Sequence, residues 1–279
     1  MTAIPLAEPF DPTYFEELAA AEDRHFWFRS RNDAIVGVLR GVVGPGSRIL
    51  EVGCGNGNVL TAIDRAFPSA TVVGMDLFAE GLRFARQRCD CPLVQGDIRL
   101  PPLRGQFDVV GAFDVVEHLD DDSGALLSLG RLLKPGGHLV LTVPANPSLW
   151  SYYDEACGHR RRYRPADLRQ TIQRAGLEVS YMSYFMAPLV PILWLRRKLG
   201  EHSRRSGRKD VRELATEELR VPWGVNGMLG FLLRREIRHL SGGGRLPFGT
   251  SLLAVARSPG SDVHPGAGQA PPPISSSTA

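Results

Sequence analysis

From residue 48 onward, short apolar runs alternate with longer stretches whose apolar positions recur three and four residues apart. The first kind reads as buried strands and the second as helices with one face turned to a core. Strands are predicted at Arg48–Val52, Thr71–Met75, Leu93–Gln95, Phe107–Phe113 and His138–Val143. Helices are predicted near Val59–Phe67, Ala79–Arg88 and Gly124–Leu133. The last of these is expected to stop at Lys134-Pro135-Gly136-Gly137, because Pro and Gly do not readily continue a helix. Repeated strand-helix alternation implies an α/β, doubly wound and mainly parallel sheet.

Both ends depart from this pattern. Asp11 to Arg40 mixes acids and aromatics at helical spacing and reads as a helical lead-in, so residues 1–40 are expected to form an N-terminal cap. Beyond Val143 come a polar, aromatic loop from Pro144 to Tyr163, a helix opened by Pro165 and closed by Gly176, and two further strands at Leu177–Tyr184 and Ser251–Ala256. Residues 185–246, between those strands, are expected to form a helical insertion in a main domain spanning 41–257. The tail, 258–279, is dominated by Pro, Gly and Ser and is expected to be disordered.

Composition narrows the picture. A chain of 279 residues with 43% apolar content is long enough for one sizeable core with appendages. The formal charge of +3 is too small to mark a nucleic-acid surface, and no nucleic-acid partner is expected. Met1 to Phe28 lacks a basic stretch followed by an apolar one, so no secretory leader is expected and the protein is expected in the cytoplasm. The four cysteines lack CxxC spacing and are expected to be reduced thiols.

The chemistry concentrates on one edge of the predicted sheet. Glu51-Val52-Gly53-Cys54-Gly55-Asn56-Gly57 joins the first strand to a helix, and its glycines allow a sharp turn and a close backbone approach to a ligand. The third glycine follows the second by two residues, giving GxGxG and not the GxGxxG of dinucleotide enzymes, which disfavours a nicotinamide oxidoreductase. A tight turn with no ligand is the plain alternative for the glycines alone. Three acids weigh against it, because each falls where a strand ends on the edge at which open α/β sheets bind ligands. Asp76, followed by Leu77, ends the second strand at the distance from the glycine turn where a carboxylate meets a ribose diol. Asp97 is placed to accept from an adenine amino group while Ile98 covers the ring, and Asp114 closes the fourth strand after Phe113. Asp108, at the start of that strand, is given a structural role.

These residues resemble those of the class I S-adenosylmethionine (SAM)-dependent methyltransferases, especially the branch of quinone-biosynthesis O-methyltransferases and uncharacterised bacterial relatives. The resemblance covers roughly Phe26 to Ala256 and implies a Rossmann-like, seven-stranded fold with SAM as cofactor. It implies that Glu51, Gly53, Gly55 and Gly57 lie at the methionine end of SAM, Asp76 and Leu77 at the ribose, Asp97 and Ile98 at adenine, and Phe113 and Asp114 near the methyl. In relatives a leading helix covers the cofactor, so Arg31, with Arg29 as an equal candidate, is expected to meet the methionine carboxylate. A noncatalytic SAM-binding module is the alternative to an enzyme.

Methyl transfer from a sulfonium needs an aligned acceptor and, for a hydroxyl, a base. His118, in Asp114-Val115-Val116-Glu117-His118, is the first candidate base, and His159 is the alternative. The plain reading of His118 is that it caps or packs its loop. Trp150, Tyr153, Arg160 and Tyr163 belong to a long loop after the fifth strand and are assigned to acceptor binding, against the reading that the arginines form a solvated face and Tyr163 is packed. No metal site is expected, although Glu117 and His118 offer ligand types.

Phe185–Leu195 and Met228–Leu233 are apolar runs, each followed by basic residues, and both are too short to span a bilayer, which takes about 20 apolar residues. The pairing suits a surface lying on anionic headgroups, through 185–209 and 228–240, and hence a lipid-like or other small-molecule acceptor. A lid or dimer face with a solvated basic loop is the competing account.

Overall fold

A computed structural model of the chain describes residues 15, 16, 19, 22–103, 106–205 and 223–260. Asp11, Arg208, Lys209 and the tail from residue 261 lie outside the described residues. The elements are α1 (Phe26–Leu39), β1 (Arg48–Val52), α2 (Asn58–Ala66), β2 (Thr71–Asp76), α3 (Ala79–Arg88), β3 (Leu93–Gln95), β4 (Phe107–Phe113) and α4 (Asp122–Gly130). They continue with β5 (Leu133–Pro144), α5 (Tyr152–Ala156), α6 (Pro165–Arg174), β6 (Glu178–Phe185), α7 (Leu189–Arg205), α8 (Trp223–Ser241) and β7 (Ser251–Arg257).

The strands form one seven-stranded sheet in the order β3-β2-β1-β4-β5-β7-β6. All neighbouring pairs are parallel except those of β7, which runs antiparallel to both β5 and β6. Successive residues of a strand point to opposite faces, so each central strand feeds two cores. Leu50, Val110 and Leu139 pack on one face with Leu126 and Leu129 of α4 and Leu168 and Ile172 of α6. Ile49, Val109 and Val140 pack on the other with Ile35 and Leu39 of α1, Leu60 and Ile63 of α2, and Leu233 and Ile237 of α8.

One expectation is corrected. The fourth helix ends at Gly130, and Lys134-Pro135-Gly136-Gly137 lies within β5. There the register slips between the pairs Phe107↔Leu133 and Val109↔His138. Lys134 Nζ reaches Asp108 at 2.7 and 2.8 Å across this bulge, so an ion pair to the neighbouring strand keeps the Pro-Gly segment in the sheet. Asp108 also accepts from the Arg48 amide at 2.8 Å, tying β4 to β1.

Within the insertion, Leu229, Leu233, Ile237 and Leu240 of α8 are buried, and the helix packs along α1. Glu236 accepts hydrogen bonds from the amides of Met186 and Ala187, which fastens α8 to the end of β6. Among the described residues, no helix is long and apolar enough to cross a membrane.

Candidate active site

The carboxyl ends of β1, β2 and β4 open onto a cavity of about 360 Å³. At the end of β1 the backbone turns through Gly53 at φ 72°, where any side chain would strike Val115. Gly55 donates its amide to Asp76 Oδ2 at 2.7 Å, and Phe78 donates to Oδ1 at 2.9 Å. Oδ2 of the buried Asp76 therefore faces the glycine turn and Oδ1 the loop that follows β2, and the residue lines the cavity wall. Burial raises the Asp76 pKa, and those two amides with that of Leu77 oppose the shift.

Asp97 and Ile98 form the wall beyond Asp76. Arg99 grips Asp97 with a guanidinium fork at 2.5 to 3.0 Å. Burial pushes the Asp97 carboxyl up, but this fork and the Arg99 amide outweigh it and hold the group below its ordinary value. Asp114 closes β4 with φ 58°, a left-handed backbone unusual for a residue with a side chain and often found where a site demands it. Its carboxylate accepts from Arg31 at 2.9 Å and from Thr142 Oγ1 at 3.1 Å. The Arg31 guanidinium also sits 5.0 Å from the Trp27 ring and 5.5 Å from that of Phe28, so the leading helix meets the cavity rim through one cation.

The far end of the cavity is lined by His118, Leu119, Asp120, Asp121 and Arg160. His118 stands on a 3₁₀ turn, Val116–His118, and its ring meets that of His159 edge-on at 5.0 Å between centroids. Burial, with His159 and Arg160 nearby, lowers the His118 pKa to about 3, so its ring is neutral at physiological pH. Glu117 is wholly buried and neither of its carboxylate oxygens has a hydrogen-bond partner among the described residues. Burial, and then the charge of Asp114, push its pKa well above the ordinary value. Glu117, His118 and His159 bring one donor atom each within 4.8 Å of one another, close enough to share a proton or a cation.

Several residues singled out from the sequence lie away from the cavity wall. Glu51 and Phe113 are buried behind it. Gly57 faces α3, where a side chain would come within 2.9 Å of Ala85, so this glycine serves helix packing. Tyr163 is packed in the core with its hydroxyl donating to Asp122 at 2.7 Å, which corrects its assignment to an acceptor. Tyr153 lies under the Arg197 guanidinium at 5.3 Å and faces the insertion, while Trp150 is exposed outside the cavity. Of that loop's four candidates, Arg160 alone lines the cavity.

Phe15 and Phe78 were not foreseen and both line the cavity, their rings 6.0 Å apart edge-on. Asn56, inside the glycine turn, donates to the Phe15 carbonyl at 2.8 Å and draws the lead-in over the opening. An aromatic before a leading helix gives no sequence signal of this role. Arg99 was equally unforeseen, although its position two residues after Asp97 places the pair on one turn.

The methyltransferase domain family matches residues 19–181, more than half of the chain. The chain belongs to this family. It carries a class I, SAM-dependent methyltransferase domain, and SAM is its methyl donor. It is similar to a ubiquinone biosynthesis O-methyltransferase of Thiobacillus denitrificans, 29% identical over 50% of this chain and 67% of that protein. An uncharacterised 37.1 kDa protein in transposon TN4556 of Streptomyces fradiae is 33% identical over 53% of this chain and 43% of that one. In fold it is similar to phosphoethanolamine N-methyltransferase 2 of Haemonchus contortus in complex with SAM, with a TM-score of 0.53, 17% identity, and 81% and 52% of the two chains covered.

The residues present fit this cofactor. A buried Glu51 oxygen, Oε2, and a buried Arg31 nitrogen, Nε, have no hydrogen-bond partner among the described residues. An unpaired carboxylate oxygen and an unpaired guanidinium N–H behind one glycine turn suit the ammonium and carboxylate of an amino acid.

Proposed function

We propose that the protein transfers the methyl group of SAM to a hydroxyl on a lipid-like small molecule while resting on an anionic membrane surface. One observation carries this reading: a single cavity joins the glycine turn and Asp76, Asp97 and Asp114 at one end to His118 and Arg160 at the other. SAM supplies a methyl on a sulfonium, whose S–C bond breaks as the acceptor's O–C bond forms, leaving a neutral thioether. In this reading Gly53, Gly55 and Asp76 seat the ribose and methionine parts, Asp97 and Ile98 hold adenine, and Arg31 with Asp114 closes the rim. The acceptor's proton passes by way of His118 on the cavity wall, which burial leaves too weakly basic to keep it, to His159 behind it. Arg160 orients the acceptor, and Asp120 at 3.4 Å holds that guanidinium at the mouth.

The hydroxyl acceptor is supported by the two imidazoles and by the likeness to a ubiquinone biosynthesis O-methyltransferase. The membrane part is supported by the outward faces of the insertion. On α7, Ile192, Leu195 and Leu199 are exposed at spacings of three and four residues, with Trp194 beside them and Lys198 among them. On α8, Met228, Phe231 and Leu232 are exposed, and Arg234, Arg235 and Arg238 follow on the solvent side. Apolar stripes edged by cations suit a headgroup boundary, and this setting makes the protein a cytoplasmic, peripherally membrane-bound enzyme.

The test is transfer of labelled methyl from SAM to phenolic and catechol lipids presented in anionic vesicles. The expected product is an O-methyl ether formed one for one with S-adenosylhomocysteine. Label recovered only on nitrogen or carbon of the acceptors would overturn the hydroxyl assignment.

A further inference from the structure

The loop after β5 holds a second, buried apparatus around Asp154. This carboxylate is fully buried, at 0% exposure, and yet carries four polar neighbours. Oδ1 is 2.9 Å from His159 Nδ1 and accepts from Arg162 Nε at 2.7 Å. Oδ2 accepts from the Ser151 amide at 3.0 Å and lies 3.6 Å from the Arg197 guanidinium. Arg162 is itself fixed to the end of β5, donating to the Ala145 carbonyl at 2.8 Å. Arg197 comes from the insertion: it sits on the inward side of α7 and donates to the Leu149 carbonyl at 2.6 Å. The two segments touch so closely that a side chain at Gly200 of α7 would strike the Tyr152 ring of α5.

Burial pushes Asp154 up, but the hydrogen bond from His159 and the charges of Arg162 and Arg197 outweigh it, and the carboxyl is held below its ordinary value. An ionised carboxylate only accepts hydrogen bonds, so its partner nitrogen on His159 carries the proton. That leaves Nε2 as the basic atom of an imidazole oriented by a buried carboxylate, the arrangement that directs histidine bases on many unrelated folds.

We propose that α7 is a positioning element for the acceptor end of the site: Arg197 holds Asp154, and Asp154 fixes the tautomer and place of His159 beside His118. Asp154 and Arg197 are positioning residues and touch no substrate. This deepens the hydroxyl-acceptor reading and rests on it. The helix whose outward face carries Ile192, Leu195 and Leu199 is thus the helix whose inward face holds Asp154, so whatever binds outside is one helix away from the carboxylate that orients His159.

Long-range proton–nitrogen spectra of histidine-labelled full-length protein, saturated with SAM, test this. In the unaltered chain His159 should show a protonated Nδ1 and a bare Nε2. Arg197→Met, similar in length and uncharged, should drive His159 toward a mixture of tautomers while changing SAM affinity less than twofold. Arg197→Lys should retain most of the original signature. A His159 spectrum unchanged by Arg197→Met would overturn the role of α7. A proton on Nε2 in the unaltered chain would overturn the role of Asp154, and that readout stands even if Arg197→Met fails to fold. Failure of the unaltered chain to bind SAM would sink the methyltransferase reading instead, and the same samples report it separately.

Discussion

At the scale of single residues, Glu117 is a carboxyl that is costly to bury. It is wholly enclosed, its oxygens lack hydrogen-bond partners among the described residues, and burial holds its proton far more tightly than in the unfolded chain. A carboxyl with a raised folded pKa contributes stability that is intact below its ordinary value of 4.5 and is lost as pH rises through the folded value. Glu117→Gln keeps the shape and removes the charge. We therefore expect its melting temperature to exceed that of the unaltered chain by several degrees at pH 8, since about 1 kcal/mol moves Tm by roughly 2–4 °C in a chain of this size. The gap should shrink toward pH 5; a gap independent of pH, read by scanning calorimetry, would contradict the assignment. Spacing set Glu117 and His118 just past the end of β4, where His118 lines the cavity. It did not reveal the enclosure of Glu117, which depends on Arg160 donating its amide to the Glu117 carbonyl at 2.8 Å from a loop more than 40 residues away. For the same reason Tyr163 read as an acceptor residue: its partner Asp122 is 41 residues distant and leaves no local mark.

At the scale of elements, the join between α2 and α3 rests on Gly57. Its φ of 74° disfavours any side chain, and a Cβ there would come within 2.9 Å of Ala85 in α3. Gly57→Ala should cost about 2–4 kcal/mol, combining left-handed strain with overpacking, and should be visible as a lower denaturant midpoint. An unchanged midpoint would mean that the two helices are not held at this distance. The sequence marks the turn at this glycine but not the contact with Ala85, since GxGxG specifies a bend and says nothing of what packs on it. Strands β1 and β4 were legible to the residue because each is an apolar run buried on both faces, and β3, a partly buried strand at the sheet's edge, was placed by the strand-helix alternation. The start of β5 was not, because Pro and Gly are local stop signals and the ion pair of Lys134 with Asp108 that overrides them comes from another strand.

At the scale of the molecule, the sheet gathers Asp76, Asp97 and Asp114 on one edge while the insertion sends α8 back over α1 and leaves α7 with an apolar outer face. The sequence showed the apolar-then-basic pairing twice but could not show which half of each segment turns inward, because Leu229 and Leu233 fit a core as readily as a bilayer. Replacing Ile192, Leu195 and Leu199 together with Ser should weaken flotation with anionic vesicles on the order of 100-fold or more, with SAM affinity unchanged. Flotation that persists would assign the face to another use. The central claim is that the cavity at the ends of β1, β2 and β4 is the SAM site, and isothermal titration with SAM, with NAD as the control ligand, tests it most directly. The account predicts saturable binding of SAM, none of NAD, and a loss on the order of 10- to 100-fold in Asp76→Ala, where a charged acceptor is removed. Equal affinity of Asp76→Ala and the unaltered chain for SAM, or no SAM binding at all, would contradict it.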